Sequence, residues 1–275
     1  MLRHIGRGAL FLLAIMVPFA VHAGPHWWVW AIPAVLAACG IDSLALGIRV
    51  PSRPLNEIGF SGEEIGALRE LASRLGVQEV RVALLPPDDP AGAPRVGCLS
   101  KGRAAIVCCT EDLPSRLTAR EMKVVFAHEL AHHRLGHARK SSWLGFALKF
   151  AAAMIVCFCL DLLHPFLGSG WSARLIAVTL ALWQVFYGLG LPVRKAYSRH
   201  QERQALRKAL EVTDDGEAFV SAMRKMAGRE AAGAEPTLLD KLLFNDHPSL
   251  RETLAMAEDY ASRRALPPNS PARQA

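Results

Sequence analysis

None of the six cysteines of this 275-residue chain belongs to a C-x-x-C pair. They stand at Cys39, Cys98, Cys108, Cys109, Cys157 and Cys159, two of them inside an apolar run, which argues against a disulfide framework. Cys108 and Cys109 are expected to pack as small apolar residues on a strand, in a reducing compartment. Also missing is a basic stripe interleaved with aromatic residues. The net charge is +7, yet Lys and Arg gather beside apolar runs, so the charge reads as membrane topology and a nucleic-acid partner is not expected. Two short stretches, residues 24–26 and 164–170, have no Lys or Arg at all.

Apolar residues make up 51% of the chain, high for a soluble protein. They concentrate at residues 9–23, 27–48, 145–166 and 172–193, mostly long enough for a hydrocarbon core that takes about 20 helical residues. The two stretches without Lys or Arg join these runs in pairs. The opposite ends carry Arg3 and Arg7, Arg49 and Arg53, Arg139 and Lys140, and Arg194 and Lys195. Four transmembrane helices in two hairpins follow, with both termini in the cytoplasm. An alternative is that Val21-His22-Ala23 ends a cleaved signal peptide. Lys149 and Arg174 lie near span ends, where long side chains reach the interface, and Asp161 can pair with Arg174.

The organisation expected is a membrane hairpin at 1–48, a first catalytic segment at 49–141, a second hairpin at 142–193, a second catalytic segment at 194–265 and a disordered tail at 266–275. Between the hairpins, Ser61-Gly62-Glu63-Glu64 opens a helix through Leu75 that Gly76 closes. Val77 to Leu85 reads as a strand, Pro86 to Pro94 as a loop, and Val96 to Cys109 as a hairpin turning near Lys101-Gly102. Thr118 with Glu121 forms a capping box for a helix starting near residue 119, and Leu117 with Met122 a hydrophobic staple. Helices are expected at about 196–210, 215–226 and 237–244, with Ser249 and Glu252 capping a last one.

On the helix begun at Thr118 lies His128-Glu129-Leu130-Ala131-His132. Histidines four apart share a helix face, so both imidazoles can reach one zinc ion while the adjacent glutamate addresses its water. Catalytic zinc takes three protein ligands. The metzincin pattern cannot supply the third, because Leu135 and Ala138 stand where it needs Gly and His. A glutamate on a separate downstream helix can, and Glu202 in Ser198-Arg199-His200-Gln201-Glu202-Arg203-Gln204-Ala205 is the candidate. It lies 70 residues beyond His132, but the intervening hairpin returns the chain to the side it left. His133 and His137 are expected to be surface neighbours of the motif rather than ligands.

With these segments, and with Asp246-His247-Pro248-Ser249-Leu250-Arg251-Glu252 near the end, the chain resembles the HtpX-like membrane zinc metallopeptidases, in the wider family that includes the CAAX prenyl proteases. The resemblance covers most of the chain. It implies a mainly α membrane protein, with four transmembrane helices and a zincin-like helical catalytic domain around a small β-sheet. It implies one zinc per chain on His128, His132 and Glu202, with Glu129 as general base. His247 and Arg251 match the family's His-Pro segment, where either donates to the oxyanion, or else His247 caps a helix and Arg251 is solvated. Polypeptide substrates, among them membrane proteins, would be cut at the cytoplasmic face of the inner membrane. Two departures stand out. Leu206 occupies the place, four residues after the glutamate ligand, where the family commonly has an Asp that orients a zinc histidine. Val96-Gly97-Cys98 replaces the frequent Asn-Ala-Phe of the substrate-binding strand. A catalytically silent membrane scaffold with a structural zinc, and prenyl-peptide processing, are the competing readings.

Overall fold

The computed structural model describes residues 29, 32–37, 52–54, 62–85, 95–101, 103–167, 173–227 and 236–265. The chain is mainly helical with one small mixed sheet, and it divides into two units, residues 50–139 with 195–275 and residues 1–49 with 140–194.

In the first unit, strands β1 (Arg53–Pro54), β2 (Glu79–Leu85), β3 (Val96–Lys101) and β4 (Ala104–Thr110) form a sheet in the order β1-β2-β4-β3. β2 and β4 pair in parallel, Glu79 opposite Ala104 through Leu85 opposite Thr110. β3 folds back antiparallel on β4, Val96 opposite Cys109 and Lys101 opposite Ala104, and so lies at an edge. β4 is hydrogen-bonded on both sides, and its sequence AAIVCCT is almost uninterrupted in apolar residues, as a central strand requires. Cys98, Cys108 and Cys109 are free thiols; Cys109 packs in the core as expected, while its neighbour Cys108 is half-buried.

Helix α1 (Gly62–Arg74) precedes β2. Its end explains why β2 starts at Glu79 rather than at Val77: Gly76 takes φ +66, the Gly76 N–H bonds the Ser73 carbonyl, and the Val77 N–H bonds the Ala72 carbonyl at 2.8 Å. This left-handed cap consumes Val77, whose side chain packs back into the core. Ser61, the 86–94 loop, Gly102 and the 266–275 tail lie outside the described residues.

After β4 come α2 (Leu113–Arg116), α3 (Ala119–Arg134), α4 (His137–Leu167), α5 (Ala173–Leu189), α6 (Leu191–Thr213), α7 (Gly216–Ala227), α8 (Leu238–Leu243) and α9 (Leu250–Ala265). The core of the first unit joins Leu71 of α1 and Leu75 just past its end, Val107 of β4, Phe126 and Leu130 of α3, Leu206 and Leu210 of α6 and Phe219 of α7. Each such side chain contributes about 1.5–3 kcal/mol by leaving water. α3 is thereby clamped between sheet and helices with its histidine face turned to α6.

The second unit packs Val35 with Ala153, Val156, Cys157 and Leu160 of α4 and Leu175 and Trp183 of α5. Phe158, Leu162, Phe166, Val185 and Leu189 remain exposed on its helices. Two helices among the described residues, 137–167 and 174–213, are long and apolar enough to cross a membrane. Of the expected spans at 9–23 and 27–48, only residue 29 and the helical stretch 32–37 fall among the described residues. The stretch 174–213 turns once, at Gly190, so the run at 172–193 holds α5 and the start of α6. Gly190 separates α5 from α6, and Pro192 enters the first turn of α6, where its missing N–H costs nothing.

Candidate active site

α3 begins at a reciprocal capping box. The Glu121 N–H donates to Thr118 Oγ1 at 3.3 Å, and the Thr118 N–H donates to Glu121 Oε2 at 2.8 Å. Glu121 also accepts from Ser221 Oγ at 2.6 Å and from Lys225 Nζ at 2.7 Å, both on α7. Burial pushes its carboxyl up, but the Lys225 ammonium and the hydroxyl and amide donors outweigh that and bring it down to about 2. Leu117 and Met122 are both buried, as the staple predicts.

Two and three turns along α3, His128 and His132 meet Glu202 of α6. His128 Nε2 is 3.2 Å from Glu202 Oε2, His132 Nε2 is 3.5 Å from the same oxygen, and the two imidazole nitrogens are 3.2 Å apart. Zinc bonded tetrahedrally at about 2.0–2.1 Å sets its donors roughly 3.3 Å apart, so this triangle of two nitrogens and one carboxylate oxygen fits that ion. Each imidazole offers Nε2 to the triangle. Burial raises the Glu202 carboxyl, but His128, His132 and His247 together hold it far below the ordinary carboxylate range. Burial lowers His128, yet the nearby Glu202 and Glu129 carboxylates leave it raised overall.

Glu129 lies beside this triangle. Burial drives its carboxyl above the usual range, and the neighbouring imidazoles pull only partly against it. Cys98 on β3 feels the same charge: burial first, then Glu129, push its thiol up to about 12. β3 therefore runs within electrostatic reach of Glu129. A contact between His133 Nδ1 and Ser100 Oγ, 2.9 Å, ties that strand to α3.

His247 Nδ1 comes within 3.3 Å of Glu202 Oε2. The first turns of α6 in this unit hold the segment before it. Lys195 Nζ donates to the Phe244 carbonyl at 3.0 Å and pairs with Asp246 at 2.9 Å, while Arg199 donates to the carbonyls of Lys241 and Asn245. Arg251 is exposed at the start of α9, and among the described residues no hydrogen bond or ion pair ties it to the triangle.

One prediction for the motif's surroundings fails. His137 is no surface neighbour: it is 3% exposed, and its Nδ1 lies 3.0 Å from His132 Nδ1. Its Nε2 is 3.3 Å from Gln204 Oε1, and its carbonyl accepts from Gln201 Nε2 at 3.2 Å. On an unbroken helix a residue five positions on points about 140° away. Here α3 stops at Leu135, Gly136 takes φ +66, and α4 restarts the chain with His137 turned back. The Leu135-Gly136-His137 order was the available signal, since glycine after a helix is the common left-handed terminator. Leu206 is buried in the core, and His128 Nδ1 is buried without a hydrogen-bond partner among the described residues. The two imidazoles are thus supported unequally.

Residues 67–261 match the profile of peptidase family M48. Over 154 residues the chain is 23% identical to the uncharacterized metalloprotease YhfN of Bacillus subtilis (strain 168), a match spanning 52% of this chain and 35% of YhfN. Its fold is similar to that in the crystal structure of S. mikatae Ste24p, with a TM-score of 0.59, 15% identity, and coverage of 91% of this chain and 62% of the other. The chain thus spans about a third of YhfN and less than two thirds of Ste24p.

Proposed function

The chain belongs to peptidase family M48, and we propose that it is a membrane-bound zinc endopeptidase in which His128, His132 and Glu202 hold the metal and Glu129 is the base. The observation that carries this reading is the triangle of donor atoms, 3.2, 3.2 and 3.5 Å on its sides, with a buried glutamate next to it. When bound, zinc supplies Lewis acidity, polarising a scissile carbonyl and lowering the pKa of a water towards about 7.

The protein's own part is proton handling and positioning. Glu129 accepts the proton of the attacking water and returns it to the departing amine; a carboxyl raised by burial is suited to both tasks. His247, and Arg251 by movement of its long side chain, are the candidate donors to the developing oxyanion. The outer edge of β3 gives an extended polypeptide a ladder to pair with, and Val96-Gly97-Cys98 would lie along it. Substrates are proposed to be polypeptides, membrane proteins and misfolded chains among them, cut at the cytoplasmic face of the inner membrane. The exposed apolar faces of α4 and α5 and the basic residues flanking the apolar runs support that placement.

A second reading rests on His128 Nδ1. A ligand histidine whose Nδ1 has no hydrogen-bond partner among the described residues, together with a Leu206 in the sequence position of an orienting carboxylate, is compatible with a scaffold whose zinc only joins helices. Replacing Glu129 by Gln distinguishes the two. Loss of casein cleavage with zinc retained is expected, and unchanged cleavage rejects the hydrolytic assignment. Cleavage confined to lipidated peptides would move the substrate class to prenyl-peptide processing.

A further inference from the structure

We propose that His137 and Gln204 are positioning residues for the metal site: a neutral chain of hydrogen bonds from His132 Nδ1 through the His137 ring to Gln204 Oε1 fixes the tautomer and ring plane of His132. The chain rests on the proposal that His132 holds zinc through Nε2.

The proton arrangement follows from the atoms in contact. An imidazole that offers Nε2 to a metal carries its proton on Nδ1, so His132 Nδ1–H is the donor across the 3.0 Å contact and His137 Nδ1 the acceptor. His137 then carries its proton on Nε2, where it meets the Gln204 oxygen at 3.3 Å. Gln204 Oε1 can only accept. Every member is satisfied in this one arrangement, with no net charge on the chain. The His132 and His137 rings lie 4.9 Å apart between centroids at 81°, and the two Nδ1 atoms are the ones that meet; the bond sets the axis the ring planes share and leaves the angle between them free.

His137 is itself held. Its backbone carbonyl is gripped by Gln201, its side chain by Gln204, and both glutamines flank Glu202 on α6. The same helical turn therefore supplies one ligand and the backing of another. A carboxylate in the place of His137 would add a third negative group to a site that already gathers Glu129 and Glu202. The imidazole orients His132 without that repulsion. Outer partners of this kind commonly govern metal affinity by 10 to 100-fold.

The test compares full-length wild type with His137→Phe, His137→Gln and Gln204→Met, together with His132→Ala, in detergent. Zinc affinity is measured against a competing chelator, and kcat and KM for casein are measured at saturating zinc. His137→Phe keeps bulk but removes both bonds, so affinity should fall about 10 to 100-fold, and kcat should fall with KM nearly unchanged. His137→Gln offers an acceptor and a donor in one amide and should recover most of the affinity; Gln204→Met should fall between. Zinc affinity in His137→Phe or Gln204→Met equal to wild type overturns the chain, as does a His137→Gln variant no better than His137→Phe. Should His137→Phe fail to fold, Gln204→Met and His137→Gln decide alone. Zinc retained at full affinity by His132→Ala would instead overturn the ligand assignment beneath it.

Discussion

Glu202 Oε2 stands 3.2 Å from His128 Nε2 although 74 positions separate the two residues in the chain. Nothing else provides a carboxylate to the pair of imidazoles at that distance among the described residues. Glu202→Ala is therefore expected to weaken zinc binding by more than about 100-fold, beyond the range typical of an outer partner, in an equilibrium titration. Removing zinc from the wild type with a chelator should lower its melting temperature. At free zinc a thousandfold above the wild-type Kd, the lost stabilisation is about 4 kcal/mol, and in Glu202→Ala the response should shrink to about 1.4 kcal/mol or less.

Glu121 gives a stability prediction with a pH signature. Its folded carboxyl lies at about 2, below the ordinary 4.5, so its contribution is fully present above about 4.5 and disappears as pH falls through 2. Glu121→Gln should cost roughly 2–3 kcal/mol at neutral pH, and the gap between variant and wild type should close under strong acid. Thermal unfolding in detergent across that range measures both. A gap that stays constant with pH would show that the charge is not the source.

Ser100→Ala cuts the contact between β3 and His133. A single hydrogen bond of this sort is worth about 0.5–1.5 kcal/mol. If β3 is where substrate pairs, KM should rise a few-fold while kcat and zinc affinity hold. Steady-state kinetics on an unfolded substrate would show it, and a change confined to kcat would contradict it.

Lys195→Met removes the cation that holds the Phe244 carbonyl and Asp246. His247 follows directly, so the expected result is a fall in kcat of about tenfold, one typical increment of 1.4 kcal/mol in the barrier, with zinc affinity unchanged. A matching decrease in His247→Ala, with no further loss in the double variant, would place both on one path.

Much of the site could be read before any coordinates. Thr118 and Glu121 marked the start of α3 because a capping box is a local pattern, and the four-residue spacing of His128 and His132 is a property of helix pitch. Glu202 was reachable because two apolar runs, read as a hairpin, would bring the chain back to the side it left. His137 was not reached. Counting along an unbroken helix turns it away from His132, and only the left-handed Gly136 reverses that. The partners of Glu121 on α7, a hundred positions on, and the Lys195 clamp depend on packing between distant helices and leave no periodic trace. Arg251 is exposed at the start of α9, as the solvated one of its two sequence readings has it.

The ligands are divided between α3 and α6, and the start of α3 is anchored on α7 through Lys225. A nascent chain emerging from the ribosome thus displays two imidazoles long before the carboxylate is synthesised. Until residue 202 is made and folded back, the proposed zinc site holds only two of its three donors.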